Sequence, residues 1–188
     1  MKRKMSVLVF FILLVVGCHT VTDNVIENTI GTEDYKKIEE IDLLILEYRI
    51  KKEPADLSLA KEKLEELMTN KAYNKEYEAV LYGYAGEIDY YMGNIPGVKE
   101  NLKEVEKRSA YVDYYYILSA LLEREYEKQI EILKQGIPMA HTTGKIKLYL
   151  AFFYFEAGDF INAAASFDDA FEHLHPAYVE YYEKNREL

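Results

Sequence analysis

Near the C-terminal end of the chain, apolar and small residues fall at Phe160, Ala163, Phe167 and Ala170, at spacings of three, four and three. That is one face of an α-helix, because helical side chains recur about every 3.6 residues. Just upstream, the segment KLYLAFFYF places Leu150, Ala151 and Tyr154 on a second helical face. Gly158-Asp159 separates the two, and glycine supplies the backbone angles that a tight turn requires. The pattern predicts an αα-hairpin.

Three earlier segments echo it. In YAGEIDYYMGNIPGVKENLKEV the matching positions are Gly86, Gly93, Ile95, Val98, Leu102 and Val105. In LSALLEREYEKQIEILKQGI they are Ser119, Leu122, Tyr126, Gln129, Leu133 and Gly136, with a shortened turn. In PADLSLAKEKLEEL they are Leu57, Ala60, Leu64 and Leu67, with Pro54 near the turn and the amphipathic YKKIEEIDLLILEYRI upstream. The small position of the hairpin is filled by Ala60, Val98, Gln129 and Ala163, separated by 38, 31 and 34 residues. A period in the 20–50 range signals a repeat architecture.

The order Leu150, Ala151, Tyr154, Gly158, Phe160, Ala163, Phe167, Ala170 resembles the tetratricopeptide repeat, with Pro176 about one residue late for the proline that ends that repeat. The resemblance implies an all-α fold: a right-handed α-solenoid of about four degenerate helical hairpins over residues 34–188, some nine helices in all. HPAYVEYYEKNREL would form a capping helix at its end, with one wet face. An irregular helical bundle is the other arrangement open to such degenerate repeats. In the repeat reading, Ala151 and Ala163 are small because the two helices of the last hairpin cross closest there.

The N-terminus follows a different pattern. Lys2, Arg3 and Lys4 precede an apolar run from Val7 to Val16, ten residues long. A membrane-spanning helix needs about 20, so the layout is that of a secretory signal. The only cysteine, Cys18, follows Val15-Val16-Gly17. This resembles the lipobox of bacterial lipoproteins, although valine stands where leucine is usual. The resemblance implies a signal peptide over residues 1–17, cleavage before Cys18, and attachment of lipid, palmitate included, to its thiol. An ordinary cleaved signal and an uncleaved anchor are the alternatives. Residues 18–33 are polar, lack Lys and Arg, and read as a tether. About 14 flexible residues span roughly 20 Å. The expected location is the bacterial cell envelope, on the periplasmic or surface side of a membrane.

Charge narrows the partners. The 188 residues carry a formal net charge of -10, and removing a signal with three basic residues makes it more negative. Nucleic acid is excluded as a partner, because a phosphate backbone is held by clustered Lys and Arg. Neither a glycine-rich phosphate loop, nor HExxH, nor CxxC occurs. The histidines, His19, His141, His173 and His175, form no ligand pattern. Glu123, Glu125 and Glu127 read as a solvated helix end. No cofactor, metal or enzymatic activity is expected.

Tyrosine is the remaining signal, at 18 residues against no tryptophan. Runs such as YVDYYYIL cannot all face one core, since neighbours on a helix point about 100° apart. Resemblance to the repeat family implies a concave surface formed by the first helix of each pair. Transferred position by position, it selects Glu87, Tyr90, Tyr91, Asp113, Tyr116, Leu148, Phe152 and Phe155 as a protein-binding groove for an extended peptide or a partner helix. The same residues would otherwise fill the interior. The expected function is a membrane-anchored protein–protein interaction module, or scaffold, of the envelope. The alternative is an accessory lipoprotein of a solute transporter that handles or channels a small ligand.

Overall fold

A computed structural model describes residues 32–70, 73–108, 112–140 and 144–171. The proposed signal peptide, Cys18, residues 18–31 of the tether, the four histidines and the capping helix lie outside the described residues, while Thr32 and Glu33, read as the end of the tether, belong to the first helix. Among the described residues the chain is all-helical, with eight α-helices and no strand. They are α1 (Thr32–Lys51), α2 (Pro54–Asn70), α3 (Lys75–Tyr91), α4 (Ile95–Arg108), α5 (Val112–Leu121), α6 (Tyr126–Gly136), α7 (Gly144–Ala157) and α8 (Phe160–Phe171), with one 3₁₀ turn after α6. No described helix is long and apolar enough to cross a membrane.

The helices pack as consecutive pairs, α1 with α2, α3 with α4, α5 with α6 and α7 with α8. Two of the turns share one construction. After α3, Gly93 takes φ 78° and donates to Tyr90 O at 3.0 Å, while Asn94 N–H reaches Asp89 O at 2.8 Å. After α7, Gly158 takes φ 84°, with Gly158 N–H to Phe155 O at 3.1 Å and Asp159 N–H to Tyr154 O at 2.8 Å. Both are helix stops of the Schellman type, in which a left-handed glycine lets backbone donors satisfy the last carbonyls. Each then opens the next helix at once. The Asn94 side chain accepts from Gly97 N–H at 3.2 Å, and Asp159 Oδ1 accepts from Asn162 N–H at 3.2 Å. Such side-chain acceptors satisfy the orphan donors of a helix start. The first turn differs: Lys52 takes the left-handed conformation, φ 61°, and Pro54 starts α2.

The four small positions all end up inside. Ala60, Val98, Gln129 and Ala163 are buried, as is Ala151. Glycines set the approach between pairs. A methyl group on Gly83 would lie 2.1 Å from Tyr114 Cγ, and one on Gly86 would lie 2.6 Å from Leu118 Cδ1. The backbone of α3 therefore runs against the side chains of α5, where nothing larger than a hydrogen fits. One core cluster extends from Ile38 through Leu81 and Ile117 to Phe153. A smaller one joins Leu46 of α1, Leu148 of α7 and Ala170 of α8. The first and the seventh helix therefore touch, across the chain's length.

Candidate functional site

The first helices of the four pairs, α1, α3, α5 and α7, meet around a buried group of charges. Lys145 of α7 stands at its centre. Its Nζ lies 2.8 Å from Asp42 Oδ1 of α1 and 2.7 Å from Glu87 Oε1 of α3, and donates to the Tyr114 hydroxyl of α5 at 3.0 Å. The ammonium also sits 4.0 Å from the centre of the Tyr84 ring. Glu87 is 1% exposed. Its Oε2 accepts from the Tyr149 hydroxyl at 2.9 Å, and that hydroxyl lies 3.4 Å from the Tyr91 hydroxyl. Burial pushes the Glu87 carboxyl up from its ordinary value, while Lys145 pulls it back. Burial likewise pushes the Tyr149, Tyr84 and Tyr114 hydroxyls well up, so they stay protonated and donate.

A second cation adjoins this group. The Arg49 guanidinium lies 3.6 Å from the Phe152 ring centre, 4.8 Å from Tyr149 and 5.5 Å from Tyr91. Its Nη1 is buried without a hydrogen-bond partner. The charge is held by ring faces, whose quadrupoles attract cations. Lys52 follows one turn on, its ammonium 5.4 Å from the Tyr48 ring. Burial lowers the Lys52 pKa, and Arg49 adds its repulsion.

The eight groove residues divide between interior and surface. Glu87, Asp113 and Leu148 are buried, Glu87 in the ion-pair group and Leu148 in the smaller core. Tyr90, Tyr91, Tyr116, Phe152 and Phe155 are half-buried. Tyr91 and Phe152 carry Arg49, the Tyr116 ring covers Gly136, and Phe155 packs edge-on against Phe160 at 5.5 Å. The inner face of the first helices is thus occupied by the protein's own Glu87, Lys145 and Arg49.

Space opens instead at the turn end of the stack. A cavity of about 550 Å³ is walled by the ends of α3, α5 and α7 and by the starts of α4 and α6. Ile95, Leu121 and Leu122 supply apolar wall, and Tyr90 and Tyr126 supply rings. Of the eight groove residues, Tyr90 alone lines this cavity. Lys99, Glu123, Arg124 and Glu156 bring charges of both signs, and Gln129 an amide. Ile95 and Tyr126 of this lining are exposed, as are Met92, Phe160 and Ile161 beside the second and fourth turns, Ile161 at 84%.

Asp42, Arg49 and Lys145 were not singled out from the sequence. A signal for Asp42 existed: it stands at helical spacing from Ile38, beside Ile41 and Ile45, in the apolar stripe of α1. A charge in such a stripe is buried only when paired. Its partner, 103 residues away, leaves no local trace. Among the described residues no group of three or more metal-ligating side chains converges. No protein-family model, curated protein or solved structure matches the chain.

Proposed function

We propose that the chain is a membrane-tethered helical-repeat module of the bacterial envelope, a short right-handed solenoid of tetratricopeptide-like hairpins that docks a protein partner. The tether reading rests on the pattern of residues 1–18. The docking reading rests on one observation, the exposed apolar rim at the turn end. Met92 and Ile95 come from the second turn, Tyr126 from the third, and Phe160 and Ile161 from the fourth. Large apolar side chains grouped at one end of a charged surface mark an interaction site more often than scattered ones do. Half-exposed aromatic rings offer contact area with few rotors to freeze.

A second reading, an accessory that handles a small ligand, is favoured by the cavity beneath the rim, whose volume falls within the roughly 300–1,000 Å³ of ligand pockets.

The docking face is tested with a photo-crosslinking residue at position 161 of the full chain in intact cells. A discrete adduct that disappears with Met92→Glu and Phe160→Glu supports docking at the rim. Unchanged capture in both variants moves the partner to another surface. If Cys18→Ser leaves detergent phase partitioning unaltered, the lipid anchor is wrong, whatever the rim does.

A further inference from the structure

We infer that the cavity at the turn end binds a small zwitterion, a primary ammonium and a carboxylate carried on one short backbone, that is, a free amino acid or a short peptide. This goes beyond the docking reading and does not depend on it.

The charges around the cavity come in two signs. Lys99 and Arg124 are cationic, Glu123 and Glu156 anionic, and all four line the same space. Among the described residues none of the four is ion-paired. Elsewhere pairing is common: Lys37 with Glu66 at 2.8 Å, Lys63 with Glu40 at 2.8 Å, Arg108 with Glu78 at 2.8 Å, and Lys128 with Glu125 at 3.2 Å, one turn from the cavity. Exposed pairs add little to stability, so the fold loses little by leaving these four open, and they remain available to a ligand.

The helix ends repeat the pattern. Three first helices bring their C-terminal, partly negative ends to the cavity, and α4 and α6 bring their N-terminal, partly positive ends. A ligand of one sign would meet as much repulsion as attraction. A ligand carrying both signs finds a complement for each.

The buried amide adds an independent demand. Gln129 is 3% exposed and occupies the position filled by Ala60, Val98 and Ala163 in the other hairpins. Its Nε2 donates to Glu123 O at 2.9 Å, which binds the amide to the third turn. Its Oε1 is buried and has no donor. A buried acceptor left unpaired is costly, and an amide or ammonium N–H of a ligand supplies what it lacks. Glutamine at a site where alanine suffices elsewhere is explained by this. The Tyr90 and Tyr126 rings and the apolar wall then take the ligand's side chain.

The experiment is calorimetric titration of the purified full chain with four probes: alanyl-phenylalanine, the same dipeptide acetylated at its amino end, the same dipeptide amidated at its carboxyl end, and free phenylalanine. Saturable binding of the free dipeptide that weakens at least tenfold on capping either end is expected. Phenylalanine binding as tightly as the dipeptide keeps the zwitterion and identifies a single amino acid as the occupant. Glu123→Gln with Glu156→Gln removes the penalty for acetylation, and Lys99→Gln with Arg124→Gln removes the penalty for amidation. These four side chains lie outside the core, so folding, checked by circular dichroism, is preserved. Equal binding of capped and free dipeptides overturns the proposal, as does the absence of saturable heat with every probe at millimolar concentration. Partner capture at the rim can fail or succeed without altering either result.

Discussion

At Glu87 burial and charge pull against each other. Its carboxyl is 1% exposed and its proton is held above the ordinary carboxylate range, first by burial. A carboxyl that holds its proton more tightly in the folded chain favours folding where it is protonated. That contribution is fully present below the unfolded value, about 4.3, and is lost as the pH climbs through the raised folded value. Glu87→Gln keeps a neutral group in place at every pH. Its melting temperature relative to the wild type should therefore rise as the pH climbs from about 4, the unfolded value, through the raised folded value. A constant difference across that range would mean that Lys145 fully offsets the burial. Arg49 resolves the same conflict otherwise. Leaving Nη1 without an acceptor costs about 1–3 kcal/mol, while a desolvated cation over aromatic rings recovers about 2 kcal/mol or more. The two terms are of one size, and the Glu156 and Glu87 carboxylates favour the cation further, which is how a guanidinium with no acceptor on Nη1 persists at 3.6 Å from Phe152.

At the scale of the elements, the turns and the close approaches use glycine for two different reasons, and alanine and asparagine variants at one glycine of each kind separate them. A methyl group on Gly158 would meet nothing within 4 Å, yet φ is 84°. Gly158→Ala should cost about 1–2 kcal/mol through conformation alone, and Gly158→Asn, which tolerates that conformation, should recover most of it. Gly83 has no such φ, but its added methyl would strike the root of the buried Tyr114 ring at 2.1 Å. Gly83→Ala should cost about 1–3 kcal/mol by overpacking, with no rescue by asparagine, the larger residue. Denaturant midpoints of alanine and asparagine variants at both positions, four in all, check the ordering. The same contrast explains what could be read beforehand. Gly158-Asp159 and Gly93 announced their turns because a left-handed residue followed by a capping side chain is a local device. The hairpins and their small positions were legible too, since Ala60, Val98 and Ala163 recur with the period. The interior was the stated alternative for the groove residues, but which of them turn inward, Glu87, Asp113 and Leu148, was not legible. It depends on contacts between helix pairs, such as Gly83 against Tyr114, which no single segment contains.

For the whole molecule, the contact between α1 and α7 changes how the chain should unfold. In an open repeat array each unit touches only its neighbours, so the ends can fray independently. Here Lys145 of α7 holds Asp42 of α1 at 2.8 Å, and Leu46 and Leu148 share one apolar cluster. The first pair therefore gains support from the fourth as well as from the second. Lys145→Met tests this closure. It leaves the Asp42 and Glu87 carboxylates facing each other without their cation, and removing one partner of a buried ion pair costs about 3–5 kcal/mol. The distribution of that loss distinguishes the two architectures. In a closed stack, amide hydrogen exchange should accelerate in α1, around Ile41 and Ile45, as much as in α7 around Tyr149, although α1 is distant in sequence from the mutated residue. In an open array the acceleration would stay within α7 and the helices beside it, α6 and α8, and α1 would keep its protection. The rim bears on the same question, because Met92, Tyr126 and Ile161 lie on three different turns. The docking face proposed for them would exist only while the pairs keep their relative positions. Lys145→Met should accordingly weaken partner capture at position 161 even though residue 145 lies outside the rim, and Lys145→Arg, which restores a cation to the two carboxylates, should recover part of it.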